Sequence, residues 1–420
     1  MSTPISPIFK RSIGLDVHRD MIYITVLAVL EGTVQQYEIS TNEKEFEAFL
    51  GTLGPEDQVA LEATRGSRQY VKRLQTRVGA VKVANPVKLR TLTGTTAKSD
   101  RNDSLSLAVM LAVGTLPTVW HADDETQQDR EILRYRHDII QEQTRIKNRI
   151  RARLAEHGLS WQGSDVTSQD ARRFLFKLRC RLPWAAQEVL TCQLEQLEQL
   201  EARLARVEDV VQVRAAQRPE VALLMTIRGL HVILALTIVA SIGSIERFAT
   251  PGSLANYAGL VPRQRASAGR SQQGRITKAG SRELRWALTE AVQQLCQQDG
   301  PCRNLCRRLE RKKNKGIAMT ACARKLAKAI WHMLTRNETF RFADPELVER
   351  KVRRREQRLT AARQRLARDQ NRHQKTLVGQ LALVQELARN GATIPLPQPL
   401  QATFNKTCPS APPVKAAAAR

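Results

Sequence analysis

The chain has 420 residues and a formal net charge of +26, with 42% apolar residues and only 5% aromatic. That length holds two or three domains with packed cores. So large a positive surplus calls for a polyanionic partner, because each Lys or Arg facing a phosphate releases condensed counterions; the shortage of aromatics argues against a protein that stacks single-stranded bases.

In chain order, residues 1–12 carry Pro4, Pro7, Lys10 and Arg11 and no apolar run, so no secretory signal is expected. Strands are predicted over Ser12–Val17, Met21–Val26 and Thr33–Ile39. Asn42 reads as the cap of a helix through Leu50. A strand at Val59–Glu62, a helix at Ser67–Val78, a strand at Val81–Val83 and a helix opened by Pro86 follow. After a polar loop comes a helix from Asp100 to Val113. Three strands, helix, strand, helix, strand, helix is the order of a ribonuclease-H-like α/β fold.

From Thr126 to Val213 the pattern is helical. Leu190, Leu194, Leu197, Leu200, Leu204, Val207 and Val211 recur at spacings of three and four, a coiled-coil-like stripe that suits either an intramolecular helical hairpin or self-association. Helices are then predicted at Val221–Met225, Val232–Ile242, Ser253–Tyr257, Ser281–Gln298 and Ala318–Leu334, with a Gly-, Ser- and Arg-rich loop from Arg263 to Gly280. The longest apolar stretch, Leu230–Ile242, is too short for the roughly 20 residues that span a bilayer, so no membrane association is expected. The seven cysteines are scattered and odd in number, as in a reduced cytoplasm. Cys296, Cys302 and Cys306 sit close together without a CxxC knuckle; they read as helix-packing thiols, or as zinc ligands needing a fourth from afar. Pro345–Arg372 is an Arg-, Gln- and Glu-rich helix, polar all round, expected as a solvated face that adds non-specific phosphate contacts. The last 30 residues are rich in Pro and Ala and expected to be disordered.

Four carboxylates in the first region form a pattern. Asp16 and Glu62 end strands that neighbour one another in the predicted fold, and Asp100 with Asp103, at i and i+3, project from one face of a helix start. Each alone is an ordinary strand-end or helix-start acid. Together they repel unless cations hold them. Two Mg2+ ions on oxygen ligands would do so and would clamp the oxygens of an in-line phosphoryl displacement. Lys98, just before Asp100, could reach a phosphate, or be a solvated loop lysine.

The blocks Ile13-Gly14-Leu15-Asp16-Val17-His18, Leu61-Glu62-Ala63-Thr64 and Lys98-Ser99-Asp100-Arg101-Asn102-Asp103 resemble the three signatures of the DEDD transposases of the insertion-sequence-110 family, which includes the Piv-type DNA invertases. Thr226–Leu230, Tyr257–Pro262, Gly274–Gly280 and Ala323–Ala327 resemble its later strings in the right order, although Arg228 stands where a small residue is usual and His231 follows Leu230. The resemblance covers residues 12–342. It implies an α/β plus α architecture. A RuvC-like, ribonuclease-H-like N-terminal domain is expected at residues 1–125, a helical coiled-coil region at 126–218, a mostly helical, serine-bearing transposase domain at 219–342, and a basic helix with a disordered tail at 343–420.

It also implies a serine nucleophile that becomes joined to a DNA phosphate. Ser267 stands in the family's position, followed by Ala268 rather than the usual Gly, and Ser271 competes by proximity. Arg265, Arg270, Arg275 and Lys278 surround it and could hold the scissile phosphate. The family implies Mg2+-dependent strand cleavage and exchange on DNA by a homo-oligomer, a dimer or tetramer, in the cytoplasm and at the nucleoid. Some members use an element-encoded non-coding guide RNA. Two alternatives stand beside this reading: a hydrolytic RuvC-like nuclease or junction resolvase with Ser267 a bystander, and a nucleic-acid-binding protein without catalysis.

Overall fold

The computed structural model describes residues 9–64, 66–93, 100–160, 168–267 and 270–389. The chain divides into two units, residues 1–122 and 123–420.

The first unit is built on a mixed sheet. Strands β1 (Arg11–Val17), β2 (Met21–Ala28) and β3 (Thr33–Ser40) form an antiparallel meander, and β4 (Asp57–Glu62) and β5 (Ala80–Ala84) extend it in parallel, in the order β3-β2-β1-β4-β5. This is consistent with the ribonuclease-H-like arrangement expected. Helices α1 (Glu43–Gly51), α2 (Ser67–Gln75), α3 (Pro86–Thr93) and α4 (Asp100–Val113) complete the unit. Asn42 caps α1, its side chain accepting from the Glu45 N–H at 2.8 Å.

β1 is buried at five successive positions, as a central strand covered on both faces must be. Side chains alternate across a strand. Ile13 and Leu15 join Phe46, Phe49, Tyr70 and Leu74 in one core. Gly14 faces α4: a Cβ there would lie 2.0 Å from the Ser104 carbonyl oxygen and 2.7 Å from the Ala108 nitrogen. The missing side chain lets helix and strand backbones touch. Thr25, paired with Gly14 across the sheet, fixes the helix further through a buried 2.8 Å hydrogen bond to Ser104 Oγ.

The second unit is mostly helical. Two long helices, α5 (Asp124–Glu156) and α7 (Trp184–Ala216), flank the shorter α6 (Gln169–Arg179). α5 and α7 run antiparallel, since Arg136 bonds Glu208 while Asp129 bonds Arg214 and Arg218 further along. The leucine stripe of α7 is occupied within the chain: Leu190, Leu197, Leu200 and Val207 pack with Ile139, Ile146, Ile150 and Leu154. Helices α8 (Pro219–Leu224), α9 (Val232–Ile242) and α10 (Pro251–Tyr257) follow. α9 is apolar on all sides because it is the centre of this core, packed by α5, α7, α8 and α11 (Arg282–Gln297). Among the described residues no helix is long and apolar enough to cross a membrane.

Three elements differ from expectation. The loop predicted over Arg263–Gly280 contains an antiparallel hairpin, β6 (Pro262–Ser267) and β7 (Arg270–Ile276). Its residues are polar on both faces and give no alternation to read, so backbone pairing alone defines it. A short helix, α12 (Pro301–Glu310), stands between α11 and α13 (Lys315–Arg336). The basic helix α14 runs from Pro345 to Arg389, and one of its faces is docked rather than solvated. Buried Lys351 donates to the carbonyls of Met225, Ile227 and Leu230 at 2.7–3.0 Å. Arg355 donates to the Ala215 carbonyl, and Arg365 grips Asp209 through two nitrogens.

Candidate active site

The acidic site lies where β1 ends and α4 begins. Asp16 shares the α4 face of β1 with Gly14, so the close approach that Gly14 permits brings the helix start beside it. Asp100 and Asp103 occupy the first turn of α4, where a helix N-terminus favours negative charge. Glu62 ends β4, one residue beyond the parallel Leu15–Leu61 pair, and is half-buried. Lys98 lies outside the described residues.

His18 is the member that sequence reasoning quoted but gave no role. Its Nε2 lies 3.0 Å from Asp16 Oδ2 and 3.4 Å from Asp100 Oδ1. The signal was available, because His18 follows Asp16 by two and leaves the strand on the same face. Ligand atoms of Asp16, His18 and Asp100 all fall within 4.8 Å of one another.

Burial pushes the Asp16 carboxyl above its usual range; His18 opposes this by hydrogen bond and charge, and Asp103 and Asp100 reinforce it by repulsion. A divalent cation would remove that penalty. The donor set, carboxylate oxygens with one imidazole, suits a hard ion such as Mg2+ or Mn2+.

The serine-bearing segment lies in the second unit. Ser267 ends β6, paired in register with Arg270 at the start of β7, and Arg265 pairs with Gln272. The side chains of Arg265, Ser267, Arg270 and Ser271 lie outside the described structure. Arg275 is exposed on β7, and Lys278 is exposed with a left-handed backbone at φ 53°. The hairpin base joins two of the strings picked out in the sequence. The Lys278 N–H donates to the Gly259 carbonyl, the Thr277 N–H to Val261, and Arg285 to the carbonyls of Ala258 and Lys278. Gly259 has φ 65°, and a Cβ on it would strike the Ala279 carbonyl at 2.5 Å.

A second basic feature was not expected. His231, Arg350, Lys351, Arg354, Arg355 and Arg358, with Met225, Val232 and Leu347, line a cavity of about 310 Å3 at the start of α9. Among the described residues no carboxylate lines it, so its field favours an anion. The pattern could not announce it, because α9 and α14 are over 100 residues apart in sequence.

Known proteins resemble this chain over both units. A family model for DEDD-type transposases matches residues 13–158, which include all four carboxylates, and a model described as the transposase IS116/IS110/IS902 family matches residues 221–305. A probable family 20 transposase of Pseudomonas aeruginosa is 27% identical over 293 residues, covering 67% of this chain and 85% of its own length. The transposase for insertion sequence element IS1111A of Coxiella burnetii is 28% identical over 256 residues, covering 58% of this chain and 68% of its own. The transposase for insertion sequence element IS1328 of Yersinia enterocolitica is 24% identical over 344 residues, covering 78% and 98%.

Proposed function

Because this chain belongs to the IS116/IS110/IS902 family of transposases and is a DNA transposase, we propose that it cuts and rejoins DNA with a Mg2+-holding carboxylate cluster and the Ser267 hydroxyl. DNA is its partner, and the family implies a divalent metal. One observation carries the reading: Asp16, His18 and Asp100 converge within 4.8 Å, with Asp103 close enough to repel the Asp16 charge. Asp16, Asp100, Asp103 and Glu62 would hold the metal, which when bound supplies positive charge against the phosphate oxygens.

The chain's own groups do the rest. In the free protein His18 Nε2 stands between the Asp16 and Asp100 carboxylates, 3.0 and 3.4 Å from them, and holds the two in place for the metal. Arg265, Arg270, Arg275 and Lys278 hold the scissile phosphate beside the serine, with Lys98 adding a contact near the carboxylates. The Ser267 Oγ bonds to phosphorus as the phosphorus–oxygen bond to the departing strand breaks, and the serine proton ends on that strand's new hydroxyl. The hairpin must therefore meet the carboxylates of its own chain or of a neighbour, and a dimer or tetramer would bring a neighbour's within reach. Work on nucleoid DNA in the cytoplasm, with an element-encoded RNA choosing the sites, completes the proposal. The cavity lined by Arg350, Lys351, Arg354, Arg355 and Arg358 supports a long polyanion path.

The test is a denaturing gel of end-labelled DNA incubated with the chain and Mg2+, beside sequencing of nucleic acid that co-purifies. A protein–DNA band is expected from the parent and from Ser271→Ala, and none from Ser267→Ala or Asp16→Asn, both of which still bind DNA. Cleavage without a band in the parent would replace the serine step by water attack, the resolvase chemistry. A band kept by Ser267→Ala and lost by Ser271→Ala would move the nucleophile.

A further inference from the structure

Four of the seven cysteines stand on three packed helices of the second unit, and three of them bring their sulfurs together. Cys296 lies in the last turn of α11, Cys302 and Cys306 one turn apart on α12, and Cys322 on α13. The sulfurs of Cys296, Cys302 and Cys322 fall within 4.8 Å of one another. Cys296 Sγ and Cys302 Sγ are 3.6 Å apart. Cys306, one turn on from Cys302, has its sulfur 3.6 Å from Glu310 Oε1 and 3.7 Å from Met319 Sδ, and would turn toward the other three to close the group. We propose that Cys296, Cys302, Cys306 and Cys322 form a tetrathiolate site for a zinc ion that staples α11, α12 and α13 together.

Distance, chemistry and local field support the assignment. With Zn–S bonds of about 2.3 Å, a tetrahedral site has sulfur–sulfur edges of about 3.8 Å. The observed 3.6 Å is close to that edge and far from the roughly 2.0 Å of a disulfide. Four sulfur donors select a soft or borderline tetrahedral ion over Mg2+, and a site with all four positions filled by protein is structural. The sequence alone placed three of these thiols within reach and lacked a fourth; Cys322, from the next helix, supplies it.

The tetrathiolate would carry two negative charges. Cys302 stands at the second position of α12, behind Pro301 and a Gly300 cap without a side chain, so the helix N-terminus faces the site. Arg303, Arg307 and Arg308 lie on the same helix. Cys306 and Cys322 are buried at 3% and 1% exposure, which keeps water out. Binding replaces protons by metal: Zn2+ and four RSH give Zn(SR)4 with two negative charges and four released protons.

The experiment uses the full chain, purified without added metal under a phosphine reductant and free of oxygen. Metal content is measured by mass spectrometry, and the chelated, reduced protein is titrated with Co2+ and then Zn2+. We expect one zinc per chain, the intense visible bands of tetrahedral thiolate-bound cobalt, their loss on stoichiometric zinc, and a higher Tm with metal. Cys302→Ser and Cys306→Ser should lose those bands, while Cys192→Ser, exposed on α7, should keep them. The reduced parent chain decides between presence and absence of the site even where a variant fails to fold. No bound metal, no cobalt bands and no change in Tm would overturn the site, as would a Cys296–Cys302 disulfide in the anaerobic protein.

Discussion

Replacing Gly14 by Ala tests whether the approach of α4 to β1 assembles the acidic site. The added Cβ would sit 2.0 Å from the Ser104 oxygen and 2.7 Å from the Ala108 nitrogen, both backbone atoms that no rotamer can move. Reaching ordinary contact at 3.4 Å requires helix and strand to part by about 1.4 Å, the difference between 3.4 and 2.0. A gap of ~1 Å forfeits up to about half of each contact's attraction, and overpacking of this kind costs about 1–3 kcal/mol. At ~4–8 °C per kcal/mol, the first unit should melt roughly 5–20 °C lower. Asp100 and Asp103 travel with the helix, so Mg2+-dependent DNA cleavage should fall about 100-fold even where the variant is folded. Calorimetry and a cleavage time course at a temperature below both transitions read the two effects. Gly51→Ala is the control, because nothing lies within 4 Å of a Cβ at that position. A Gly14→Ala protein that melts and cleaves like the parent would refute the argument.

Two further outcomes follow from the geometry. Asp16 is raised above its ordinary range, so the folded state holds its proton to higher pH than the unfolded chain does, and stability falls as pH rises through that window. In metal-free protein Asp16→Asn should therefore be the more stable at neutral pH and lose that advantage on acidification. Mg2+ should raise the Tm of the parent and not of the variant; parallel stability–pH curves would contradict this. Lys351→Met should strand the buried carbonyls of Met225, Ile227 and Leu230, at about 2–5 kcal/mol in denaturant unfolding. Parent-like stability would mean that these bonds add nothing.

The readable parts of the fold are those whose signal is local. β1, β2 and β4 are apolar runs bounded by polar turns, and Asn42, Pro86 and the Asp100–Asp103 pair mark helix starts by side-chain chemistry that acts within one turn. Strand order alone brings Asp16 and Glu62 to neighbouring strand ends, as the parallel pairing of β1 with β4 does in the fold. The unread parts depend on distant partners. The hairpin at Pro262–Ile276 has neither apolar alternation nor β-branched enrichment ahead of Ile276. Lys351 reads as one more surface cation until the carbonyls over 120 residues earlier are known. Gly14 looks like a strand-weakening residue and acts as the contact point for α4.

The docking of α14 also sets an order of synthesis. Residues 1–122 can fold once they leave the ribosome. Asp209 must wait for Arg365, 156 residues later, and the Leu230 carbonyl waits 121 residues for Lys351. At ~5–20 residues per second that wait lasts on the order of 10–30 s. Throughout it α7 and the turn before α9 present an unpaired carboxylate and open carbonyls to the cell. Half-made chains are thus exposed to chaperones and proteases for longer than finished ones, and a gene copy that stops before residue 351 never leaves that state.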